Sequence, residues 1–89
     1  MWKKTRSINA GSSCFGADPD RNFGFKYNTG GSSSNPCSET YRGPDAWSEP
    51  ETKVISDYIT KTNTNNRYKI YAAVHSYSQL WVYPWVRLN

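Results

Sequence analysis

An α/β fold is expected from three features of this 89-residue chain. A helix start is written in Ser48-Glu49-Pro50-Glu51, and β-prone apolar runs follow at residues 68–74 and 80–83. Ahead of them lies a long stretch in which Gly, Ser, Asn, Asp and Pro interrupt every apolar run before it acquires a period. Residues 1–47 therefore read as a loop region with one short extended piece, and residues 48–89 as a helix-strand-strand core piece. A chain of this size is one domain or part of one, since domains most often run to roughly 100 to 150 residues.

The loop region is too long to stand unsupported, because structureless connections beyond about 15 residues are usually functional loops or disordered segments. Its rings (Trp2, Phe15, Phe23, Phe25, Tyr27 and Tyr41) favour a functional loop packed on something. Cys14 and Cys37 enclose a segment rich in Gly, Ser, Asn and Pro. On the residues alone they are either a disulfide formed in an oxidising compartment, worth roughly 3 kcal/mol in the chain-entropy model, or two thiols in a reduced one.

The helix follows from a capping box, with Ser48 as N-cap, Glu51 three residues on and Pro50 in the first turn. Val54, Ile55, Tyr58 and Ile59 form one stripe while Lys53, Ser56, Asp57 and Lys61 fall elsewhere, so one face should lie on a core and the helix should stop in the polar residues 62–66. In the run 68–74, Ile70, Ala72 and Val74 alternate with Tyr71 and Ala73, which makes both faces apolar, as in a central strand covered on each side. Leu80-Trp81-Val82-Tyr83 reads as a further strand, broken at Pro84. One helix and two strands cannot cover both faces of a sheet and satisfy its edges, so the chain reads as a piece of a larger α/β domain.

Composition narrows the function. The net charge of +4 is scattered, with Lys3-Lys4-Thr5-Arg6 and Asn66-Arg67 its largest clusters, and nucleic-acid binding is not expected. No run is long or apolar enough to span a bilayer. The N-terminus has basic residues but no apolar segment behind them, so it is not a signal peptide. An oxidised cysteine pair would then place the true N-terminus upstream of Met1. The single histidine, His75, ends the 68–74 run, where a side chain can face a cleft and where an imidazole can ligate a metal or move a proton near neutral pH. Alone it completes neither a zinc site nor a triad.

Five strings occur in order: Trp2-Lys3-Lys4-Thr5-Arg6-Ser7, Asp18-Pro19-Asp20-Arg21-Asn22-Phe23, Asn35-Pro36-Cys37-Ser38-Glu39-Thr40-Tyr41, Ser48-Glu49, and His75-Ser76-Tyr77-Ser78-Gln79-Leu80. Together, over residues 2–85, they resemble the middle of the catalytic domain of zinc metallocarboxypeptidases of the pancreatic carboxypeptidase A and B type. The resemblance implies part of a mixed-sheet fold and hydrolysis of the C-terminal peptide bond of a polypeptide, with Zn2+ as cofactor. It also implies that peptide or protein C-termini are the substrate and that the location is extracellular.

Residue by residue, His75 matches the later of that family's zinc ligands. Arg21 matches the arginine that binds the terminal carboxylate, a role suited to a bidentate guanidinium. Ser76 and Tyr77 match residues lining the substrate cleft, and Cys14 with Cys37 a disulfide pair. Two positions depart from the pattern: Asp20 stands where asparagine usually donates to the same carboxylate, and Lys3 where an arginine steadies the oxyanion. The family's His-x-x-Glu ligand pair and its general-base glutamate have no match in this chain. They are expected in the remainder of the catalytic domain, so the chain alone should be inactive, since catalytic zinc takes three protein ligands. Glu49 and Glu51 are assigned to the helix start and Glu39 to loop structure. The alternative, from another functional class, is a non-catalytic binder of peptide C-termini anchored by Arg21.

Overall fold

The computed structural model of this chain describes residues 1–75 and 79–81. Its principal element is α1, Pro50–Thr62. A short 3-10 turn, Pro19–Arg21, precedes it and another, Thr64–Asn66, follows. The helix ends where the polar residues begin, with the Asn63 N–H donating to the Ile59 carbonyl.

The helix start differs from the expected capping box. Glu49, not Ser48, is the N-cap, and no side chain caps the first turn. The Ser48 hydroxyl donates instead to Glu49 Oε2 (2.8 Å) and accepts from Asn22 Nδ2 (2.9 Å). A long-range polar contact has taken the hydroxyl that local sequence assigned to the cap. Pro50 needs no donor partner in the first turn, so the helix starts without that hydroxyl.

Residues 1–47 are irregular but closely tied. The chain folds back on itself through Thr5 N–H to Ala17 O and Gly16 N–H to Ser7 O, both 2.8 Å, with an antiparallel bridge between Ile8 and Phe15. This is the short extended piece. Gly16 allows the close approach: at its φ of +76° a Cβ would run into the Thr5 carbonyl. The segment then joins a second one through Asp18 N–H to Tyr41 O (2.7 Å). Ser33 and Tyr41 form a parallel bridge, and Cys14 and Cys37 are joined in a disulfide with their Cα atoms 5.1 Å apart. Beside it, buried Lys4 donates to the Pro36 carbonyl (2.7 Å) and lies over the Tyr41 ring.

What these ties enclose is polar. Among the described residues Ala17 and Tyr41 are the buried apolar side chains, against Lys4, Thr5, Asn9, Asp18, Asn22, Glu49 and Thr52. Glu49 Oε1 accepts from Thr5 Oγ1 and Ser7 Oγ, each at 2.5 Å, across more than 40 residues of sequence. Asn22 is fully buried; its Nδ2 donates to Arg42 O, Asp45 O and Ser48 Oγ, and its Oδ1 accepts from Glu49 N–H and Thr52 Oγ1. Buried polar groups of this kind are tolerable only when satisfied, and Thr5, Asn22, Glu49 and Thr52 are bonded to one another.

The apolar expectations are corrected. Of the stripe expected to lie on a core, Val54, Ile55 and Tyr58 are exposed and Ile59 is half-buried, and Thr52 is the buried residue of α1. The expected strand over 68–74 has no ladder: no strand forms among the described residues, and Ile70 and Val74 are 83% and 94% exposed. A strand exists only through its neighbours, and a stripe is buried only by a second layer. Neither is supplied by the described residues. Of the second expected strand, residues 82 and 83 lie outside them.

Reduction of the Cys14–Cys37 bond should lower the unfolding free energy by about 3 kcal/mol, read as a fall in the denaturant midpoint. An unchanged midpoint would mean the bond constrains nothing. The second expectation concerns Glu49. Burial by itself raises its pKa, but hydroxyl donation from Ser7, Thr5 and Ser48 outweighs it, and the net shift is downward. Its stabilisation is therefore complete above the ordinary carboxylate value and is lost as pH falls through the lowered one. Glu49→Gln should flatten that acid limb of a midpoint-against-pH curve and cost on the order of 1–3 kcal/mol at neutral pH.

Candidate substrate-carboxylate site

The 3-10 turn at Pro19–Arg21 arises from local chemistry. Asp18 N-caps it by accepting the Asp20 N–H (3.1 Å), and Pro19 occupies the first position, where no donor is needed. Its two ends are buried, at Asp18 and Asn22, while the middle of the turn presents Asp20 and Arg21 outward with side chains 45% and 42% exposed. The charged pair is displayed on a fixed base.

Asp18 is also where the charges meet. Its Oδ2 lies 3.1 Å from Lys3 Nζ and 3.8 Å from Arg21 Nε. That oxygen is buried, and no hydrogen-bond partner for it is found among the described residues, so the two cations are its compensation. Lys3 and Arg21, 18 residues apart in sequence, are thereby brought to one carboxylate. Asp20 turns the other way: its Oδ2 is 3.7 Å from His75 Nδ1. Four expected site residues thus fall in two adjoining contact sets, Lys3 and Arg21 on Asp18 and His75 on Asp20, linked through the Asp20 N–H that Asp18 accepts. Ser76 and Tyr77 lie outside the described residues.

The chemistry available to this arrangement is recognition of an anion. Arg21 keeps guanidinium hydrogens free of the Asp18 contact, which runs through Nε, and its fork suits a carboxylate. Lys3 adds a second, half-exposed positive charge. Asp20 counters it, but through His75 rather than by pairing with Arg21. A resident metal ion does not fit these residues by themselves: among the described residues no group of three His, Cys, Asp or Glu side chains could hold one. His75 offers a single imidazole, and zinc requires more.

Sequence reading found the exposed charges and passed over their supports. Asp18 stands in the string at residues 18–23 with nothing to mark it as the buried residue that meets both Arg21 and Lys3. Glu49 was assigned to the helix start, whereas its carboxylate reaches Thr5 and Ser7. The Asp-Pro pair opening a turn was a signal for Asp18. Nothing local announced Asn22, whose partners lie 20 to 30 residues away.

Comparison with known proteins identifies the family. The family model described as zinc carboxypeptidase matches residues 1–88. The chain is 51% identical over 85 residues to human carboxypeptidase B, and 49% identical over 85 residues to rat carboxypeptidase A1. Each alignment covers 96% of this chain and 20% of the relative, so the chain spans about a fifth of the length of the curated relatives it matches. Among solved structures it resembles bovine thrombin-activatable fibrinolysis inhibitor, in a complex with tick carboxypeptidase inhibitor. The TM-score is 0.65 at 42% identity, over 68% of this chain and 21% of that one. With the family model matching nearly the whole chain and about half of the aligned residues identical to these relatives, the chain belongs to the zinc carboxypeptidase family, of the A and B type.

Proposed function

We propose that this chain supplies the substrate-carboxylate portion of a zinc-dependent metallocarboxypeptidase, which hydrolyses the C-terminal peptide bond of polypeptides. The observation that carries this reading is the convergence of Lys3 and Arg21 on Asp18, beside Asp20 and His75. In this reading Arg21 grips the terminal carboxylate of the substrate, and Lys3 leans toward the carbonyl of the bond to be cut. A lysine keeps the positive charge there but not the planar fork of an arginine, so it holds a developing oxyanion less firmly. Ser76 and Tyr77 line the cleft.

Within the same reading His75 is one metal ligand, and the other ligands and the general base come from the remainder of the catalytic domain. That remainder also supplies the sheet in which residues 68–74 become a central strand and the layer that covers Val54, Ile55 and Tyr58. Their exposure supports this, since apolar stripes of this size ordinarily mark surfaces built to be covered. Secretion is supported by the formed disulfide, which persists in oxidising compartments, and no helix among the described residues is long and apolar enough to cross a membrane.

A second reading applies to the 89-residue chain acting alone: it binds free C-termini without cutting them. The incomplete metal donor set among the described residues favours it.

Titration of the purified chain with zinc should give no tight one-to-one site, and incubation with peptides should release no C-terminal residue. Zinc-dependent release of such residues would overturn the assignment of missing ligands and base to other parts of the domain. A short peptide with a free C-terminus should bind more tightly than its amide. Arg21→Ala should abolish the difference, at a cost of about 1.5–3 kcal/mol for a lost charge-assisted contact. Equal binding of acid and amide would refute the carboxylate site.

A further inference from the structure

We infer that Asn22 is a positioning residue for Arg21: its buried side-chain amide locks the turn that presents the guanidinium. The inference rests on the carboxylate-binding reading of Arg21 and deepens it.

Asn22 follows Arg21 directly and closes the 3-10 turn, its own N–H donating to the Pro19 carbonyl (3.1 Å) and its carbonyl accepting from Trp47 N–H (2.8 Å). Its side chain has no exposed surface and no unused valence. The two hydrogens of Nδ2 serve three acceptors, Arg42 O at 2.8 Å, Ser48 Oγ at 2.9 Å and Asp45 O at 3.2 Å, so one of them is shared. Oδ1 accepts from Thr52 Oγ1 at 2.6 Å and from Glu49 N–H at 3.1 Å. One amide thus joins the turn to the loop at 42–48 and to the first turn of α1.

The packing is close enough to constrain the neighbours. A Cβ on Gly43 would meet Ser48 Oγ at 2.6 Å and Asn22 Nδ2 at 2.7 Å. At the other end of the turn Asp18 is held by Tyr41 and faces the same guanidinium. Arg21 sits between two buried, bonded residues while its own side chain is exposed. A cation held in this way loses little freedom on meeting an anion, because its backbone is fixed before the ligand arrives. Only an amide supplies this pattern: aspartate would aim oxygen at two carbonyls, and an apolar residue would take a hydrogen bond from five partners, among them the Arg42 carbonyl and the Glu49 N–H.

The test compares wild type with Asn22→Asp and with the milder Thr52→Val, which removes one donor to Oδ1 and keeps the shape. Nuclear relaxation of the Arg21 Nε–Hε group reports its order directly, and the amide signals of Thr5 and Gly16 report whether the fold persists. Binding of N-acetyl-leucine and of its amide reads the carboxylate preference. The expected result is an Arg21 group that is ordered in wild type and loosened in the variants. The acid-over-amide preference should fall at least fivefold while amide affinity and the Thr5 and Gly16 signals hold. Should Asn22→Asp fail to fold, Thr52→Val gives the same comparison with a smaller change. Arg21 order equal to wild type in the folded variants overturns the inference. A wild-type chain that does not distinguish acid from amide instead refutes the carboxylate reading, and the order comparison still decides the role of Asn22.

Discussion

The buried amide of Asn22 is the constraint on which the rest of this structure depends. Around it a loop region with almost no regular hydrogen bonding is held in one arrangement, because each partner of the amide comes from a different part of the segment 42–52. Such a cluster is directional where an apolar core is not. It fixes the turn at Pro19–Arg21 and the start of α1 relative to each other, and any shift breaks several bonds at once in a medium where broken bonds are costly.

Glu49 extends the same logic to the N-terminal segment. Its backbone begins the helix, its N–H reaches Asn22 and its carboxylate receives the hydroxyls of Thr5, Ser7 and Ser48. Through it the strip carrying Lys3 is tied to the helix, just as Asn22 ties the turn carrying Arg21. Asp18 then joins the two cations electrostatically. The site is thus a surface display of charge carried by a buried polar frame, with the disulfide closing the loop outside it.

The apolar side chains tell the complementary story. The stripe of α1 and the run at 68–74 carry much of the aliphatic content of the chain and are exposed, while the polar frame is buried. The aligned relatives are about five times longer than this chain, and the proposed reading assigns these surfaces to contact with the rest of the domain.

The sequence by itself determined the features that depend on neighbours along the chain. The helix and its end came from the apolar period and the polar residues 62–66. The loop character of 1–47 came from its turn formers, and the family with its charged residues from five ordered strings. The tertiary structure alone decided where polar side chains point. Ser48 has a cap's chemistry but serves Asn22 and the Glu49 carboxylate, because the fold brings those groups against its hydroxyl. Glu49 has the look of a helix-start acid but holds Thr5 and Ser7. Whether the run at 68–74 is a strand was likewise not local, since its hydrogen-bond partners must come from other segments. A side chain's type and spacing are written in the sequence, but its partner is set by which segments fold against it.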